Sequence, residues 1–194
     1  MKILLTIFCM VTLISCAVDL RQVPSIREQS NILYKENKTL YIGSVDVFLS
    51  ERDELNEAWK ISLISIIQSK RIFKEVSLLP NDIGKLSNDY IILDMEVKPY
   101  YSDKYNWLIS WPAVYPMAAY WPLQVRTGKY RVDLKYDLVS KDRKIISSGV
   151  LNVEHEETNI FYGFFRTTDI EKMIEISNLE VMELCGKRLK ELFP

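Results

Sequence analysis

Tyr105 to Val125 constrains the fold more than any other stretch. No formal charge falls between Lys104 and Arg126, and three of the four tryptophans lie there: Trp107, Trp111 and Trp121. Tyr105, Tyr115 and Tyr120 add to the aromatic content. Roughly 20 apolar residues suffice to cross a bilayer as a helix. Pro112, Pro116 and Pro122 oppose that use. Each removes a backbone donor and crowds the preceding turn, costing about 3 kcal/mol in a helix interior. The stretch is therefore expected to be an aromatic, proline-broken loop on a folded domain. Such a loop contacts a bilayer interface, a partner or its own core.

The first 16 residues have the form of an export signal. Lys2 gives a positive start, Ile3 to Ile14 a short apolar run, and Ser15 a small residue before Cys16. The run is too short to span a membrane and is left out of the fold. Removing Lys2 from the 25 basic residues leaves 24 against 26 acidic ones, a formal charge of −2. No general attraction to nucleic acid or anionic lipid follows from that balance, and no nucleic-acid partner is expected. The length suits one domain with a real core. Residues 1–15 are read as signal, 16–38 as a flexible tether, and 39–194 as one α/β domain containing the 105–125 loop.

The domain reads in order as β-α-β-β-β-α. Thr39 to Phe48 is rich in β-branched and aromatic residues, with Gly43 marking a bulge or a close backbone approach. Leu55, Trp59, Leu63 and Ile67 recur at helical spacing, with Ala58, Ile61 and Ile66 beside them. Ile72 to Leu79 is a second strand, and the pair implies a parallel crossover. Pro80 to Asn88 turns, and Asp89 to Tyr100 alternates as a third strand. Tyr130, Val132, Leu134, Tyr136 and Leu138 alternate with Arg131, Asp133, Lys135 and Asp137. Ser140 to Arg143 makes a hairpin turn into a fifth strand, about Lys144 to Glu154. Thr168 and Glu171 form a capping-box pattern before a helix to about Leu192, with Ile170, Ile174, Val181, Cys185, Leu189 and Leu192 as its buried stripe. The expected class is α+β: one mixed sheet of about five strands, with two helices packed on one face.

A second uncharged aromatic stretch, Asn159 to Phe165, contains Phe161, Tyr162, Phe164 and Phe165. If strands 3 and 5 both run antiparallel to strand 4, their C-terminal ends share one pole, and both aromatic stretches emerge there. If the turn at 80–88 also makes strands 2 and 3 antiparallel, strand 1 begins at that pole and the tether enters there.

Catalytic patterns are sparse. His155 is the only histidine, set in Glu154-His155-Glu156-Glu157, and adjacent strand residues point to opposite faces. An exposed acidic strand end explains it better than a metal site, which needs three or four converging ligands. The six glycines are isolated, so no phosphate-cradling loop is present. Cys185 on a helical stripe is a small buried apolar residue. No enzyme activity, cofactor or metal is expected. Trp107, Trp111, Tyr115, Tyr120, Trp121, Phe161, Tyr162, Phe164 and Phe165 remain as contact residues, since Trp and Tyr favour bilayer interfaces and binding hot spots.

Leu13-Ile14-Ser15-Cys16 resembles the lipobox of bacterial lipoproteins. The resemblance implies cleavage before Cys16, lipid modification of Cys16, palmitate included, and membrane attachment through that lipid. Ala17 in place of Asp implies the outer membrane, facing the periplasm, with surface exposure left open. The lipobox, tether and βαβ-first domain together resemble envelope lipoproteins with a domain like the N-terminal domain of TolB, as in CsgG and PelC. That resemblance implies an accessory role in envelope assembly or secretion, and a homo-oligomer or envelope complex as partner. Residues 105–125 lack the alternation of a pore-forming hairpin. The alternative is a periplasmic small-ligand or glycan binder that stacks sugars on the Trp-rich loop.

Overall fold

The computed structural model describes residues 18–24, 36–49, 52–82, 84, 86–106, 123–162 and 167–193. Seven elements follow one another: β1 (Glu36–Val47), α1 (Arg52–Ser69), β2 (Phe73–Leu78), β3 (Tyr90–Tyr105), β4 (Leu123–Ser140), β5 (Ile145–Tyr162) and α2 (Thr168–Leu192). The strands form one sheet in the order β2-β1-β3-β4-β5, with β1–β2 and β1–β3 parallel and β3–β4 and β4–β5 antiparallel. The expected α+β class and the element order are those observed.

Alternation decides which face is dry. On β3, Ile91, Leu93, Met95 and Val97 are buried; on β4, Tyr130, Val132, Leu134, Tyr136 and Leu138 are. Leu55, Trp59, Leu63 and Ile67 of α1 join them, with Ile170, Ile174, Val181, Cys185 and Leu189 of α2, in a single core. Each such side chain contributes roughly 1.5–3 kcal/mol on burial. Ile61, grouped with the α1 stripe from its spacing, is instead 64% exposed. The opposite sheet face is solvated and laced with ion pairs, among them Lys98–Glu96 and Arg131–Asp133.

Gly43 sits where the β1–β3 register shifts. A Cβ there would run into the Asp94 carboxylate and the Ile92 side chain. Asp94 Oδ1 is already engaged by the Ser44 N–H at 2.7 Å and its hydroxyl at 3.0 Å. Gly43→Val is expected to cost about 1–3 kcal/mol of stability by urea titration, because neither neighbour can withdraw without losing a bond or a packing contact.

Two expectations are corrected. The turn at 80–88 does not make β2 and β3 antiparallel. Both run parallel to β1, on opposite sides of it. Their connection crosses the solvated face of β1, where the Ser87 N–H donates to the Tyr41 hydroxyl. β1 therefore begins at the end opposite the C-termini of β3 and β5. The proposed tether is also structured in part. Residues 18–24 form a strap between the helices, with Val18, Leu20 and Val23 packed against the core.

The strap is held by three backbone bonds. The Asp19 N–H donates to Glu171 Oε1 at 3.3 Å; the Gln22 carbonyl accepts from Asn178 Nδ2 at 2.6 Å; the Pro24 carbonyl accepts from Ser62 Oγ at 3.0 Å. Asn178 is itself oriented, because its Oδ1 accepts from the buried Tyr130 hydroxyl at 2.8 Å.

Candidate contact pole

The pairing of β3, β4 and β5 defines the pole. Tyr105 pairs with Arg126, Arg126 with Asn159, and Leu123 with Tyr162. The chain leaves β3, re-enters β4 and leaves β5 at this one end. Residues 107–122 and 163–166 are attached there at both of their ends, since α2 also starts beside it. Trp107, Trp111, Tyr115, Tyr120, Trp121, Phe164, Phe165 and Cys16 lie outside the described residues. Phe161 and Tyr162 were expected in a loop; they are the last two residues of β5.

The strap reaches the same pole by a route that sequence reasoning missed. Glu171 lies in the first turn of α2 and receives the Asp19 N–H. The N-terminal end of the strap is therefore at the pole, although β1 starts at the far end.

At the pole the helix-side surface is polar. Asp103 and Arg126 pair at 3.1 Å, and the Arg126 guanidinium lies 5.3 Å from the Tyr105 ring centre. Burial, and next the charge of Asp103, push the Tyr101 phenol up to about 12, so it stays a donor. Its hydroxyl and Asn159 Nδ2 are buried and, among the described residues, have no hydrogen-bond partner. The solvent side presents Tyr100 and Ile160, both more than half exposed.

Other sequence candidates fall elsewhere. His155 Nε2 lies 2.7 Å from Glu180 Oε2, in a surface contact between β5 and α2. Among the described residues, no three His, Cys, Asp or Glu side chains come together as metal ligands. Cys185 is in the core, and burial pushes its thiol up to about 12. An open groove of about 390 Å³ on the solvated face is lined by Tyr100, Lys129, Arg131, Asp133 and Glu154, but its charges are already paired. No helix of the described residues is long and apolar enough to cross a membrane.

This is a mixed-sheet α+β domain with both helices on one face, and the long strands β3, β4 and β5 share one pole. The chain belongs to a protein family whose model matches residues 4–190, nearly its whole length. No curated protein matches it. It is similar to a solved structure from Helicobacter pylori, described as a neuraminyllactose-binding hemagglutinin homolog: 14% identity, 87% of this chain and 92% of that one covered, TM-score 0.47. It is also similar to the PelC dodecamer of Paraburkholderia phytofirmans, at 9% identity, 82% and 97% coverage and TM-score 0.39. A minor lipoprotein of Acinetobacter baumannii matches at 10% identity, 84% and 92% coverage and TM-score 0.35.

Proposed function

We propose that this chain is a lipid-anchored envelope protein that acts through its aromatic pole, in an accessory or structural role in envelope assembly or export. Cys16 carries the lipid, and Trp107, Trp111 and Trp121 with the aromatics of 159–165 make the contact, on an outer-membrane surface facing the periplasm. One observation supports the reading. The β3–β4–β5 register brings the strand ends that flank both aromatic stretches to the one pole to which the strap also leads. Val18 stands two residues after Cys16, and two residues span at most about 7 Å. A lipid on Cys16 would hold that pole against the bilayer. An anchor at the start of β1 would instead let the domain swing freely.

Two measurements test it. In cells, Cys16→Ser is expected to abolish labelled fatty-acid incorporation and move the protein out of the membrane fraction. In vitro, the lipid-free chain from Ala17 is mixed with liposomes. Replacing Trp107, Trp111 and Trp121 with Ser is expected to weaken binding roughly a hundredfold or more, since each buried aromatic contributes about 1.5–3 kcal/mol. If liposome binding survives while the sedimentation mass falls, the pole is a protein interface. If neither changes, the pole is not the contact surface.

A further inference from the structure

The two edges of the sheet are built differently. β2 is six residues long and carries Lys74 and Glu75, and a short charged edge resists pairing with another chain. β5 has 18 residues and, among the described residues, pairs only with β4. Its first half, Ile145 to Val153, has no charge, and Ile145 and Val150 are among its exposed side chains. Before that run comes the basic turn Lys141-Asp142-Arg143-Lys144; after it comes Glu154-His155-Glu156-Glu157. Along the edge, the strand reads positive, neutral, negative.

We propose that β5 pairs antiparallel with β5 of a second copy, about a two-fold axis near Gly149 and Val150. Only the antiparallel sense sets each copy's basic turn against the other's acidic stretch. In-register parallel pairing sets like against like at a cost, and a shifted parallel pairing can match one basic turn but leaves the other copy's unmatched. The neutral runs then face each other, joining two five-stranded sheets through backbone bonds and covering Val150. A bulge at Ile146, where the β4 partners step from Ser147 to Ile145, marks one end of the regular ladder. Gly149 has no side chain because Tyr136 fills that space, so the backbones can close at the axis.

The helices do not obstruct the join. Arg188, near the end of α2, is electrostatically close to Tyr136, which lies against Gly149. Each α2 therefore crosses the axis region only at its end and runs away from it. The two aromatic poles point in opposite directions, so one bilayer seats one pole of the pair. Pairing and the seating of both lipid-bearing poles on one bilayer therefore exclude each other, and the observations behind the pairing are those of the β5 edge alone.

Sedimentation of the chain from Ala17, which contains every described residue, tests the pairing. Twice the monomer mass is expected at low ionic strength. Dissociation is expected near 1 M salt, where screening shortens to about 3 Å. A variant with Lys141, Arg143 and Lys144 changed to Glu, and another with Glu154, Glu156 and Glu157 changed to Lys, should each be monomeric. Their equimolar mixture should form a one-to-one dimer. Circular dichroism checks that each is folded. If either is not, Val150→Lys gives the same loss of mass from an exposed position. A monomeric wild type, unchanged mass in the single charge variants, or a mixture that stays monomeric overturns the proposal. A dimer abolished by the Trp replacements and untouched by the charge variants assigns assembly to the pole instead.

Discussion

Asn178→Ala is expected to cost roughly 3–5 kcal/mol of folding stability and to release the N-terminal strap. Asn178 is 1% exposed in the middle of α2. Its carboxamide is read from both sides: Oδ1 takes the Tyr130 hydroxyl and Nδ2 gives to the Gln22 carbonyl. Alanine leaves the Tyr130 hydroxyl without an acceptor, and an unmet buried polar group costs about 1–3 kcal/mol. The Gln22 carbonyl loses its donor as well, and the missing amide leaves a small void. Because the Tyr130 bond fixes the amide's orientation, losing either partner weakens the other. Urea titration measures the stability, and trypsin cleavage at the exposed Arg21 reports strap release. Asn152→Ala, on the exposed surface of β5, should stay within about 0.5 kcal/mol. An Asn178 effect no larger than that control would mean that the strap is held by Val18, Leu20 and Val23 alone.

That socket also marks where the sequence stops being legible. The helix α2 could be read from its apolar stripe, and position 178 lies on it, between Ile174 and Val181. A polar residue at a stripe position was the available signal, but nothing local says what it bonds. The capping pattern misled in a similar way. Glu171 lies in the first turn as expected, yet the N-cap is Thr167, without a side-chain bond, and Glu171 serves the strap. β4 was plain because Tyr130 to Leu138 alternates strictly, and its hairpin with β5 follows from a short turn. The strand order around β1 was not plain. A short connection usually joins antiparallel neighbours, but β2 is so brief that the eleven residues 79–89 suffice to return past β1. The shared end of β3 and β5 is unaffected by that error, because it depends only on β3, β4 and β5.

Raising the pH above about 9 is expected to destabilise the fold steeply, with Cys185 leading. Burial pushes its thiol from an ordinary 9.0 up to about 12. Burial likewise raises the Tyr101 phenol to about 12, and raises Tyr130 further despite its bond to Asn178. All three groups lose a proton more readily when unfolded. Between the unfolded and folded values the unfolded chain binds fewer protons, so stability falls as pH rises. The contribution is whole below pH 9, begins to go with Cys185, and then goes with the tyrosines above about 10. Thermal midpoints from pH 8 to 11 should fall along this course, and Cys185→Ala should flatten the part between 9 and 10. From Ala17 onward Cys185 is the only thiol. The same upward shift lowers its thiolate population at pH 8, so a disulfide reagent should label the folded chain far more slowly than the urea-unfolded one. Equal labelling rates would place Cys185 in water and remove the core contacts that set its value. A pH slope unchanged by Cys185→Ala would leave the alkaline loss to Tyr101 and Tyr130, and move its onset up by about one pH unit, as their ordinary values require.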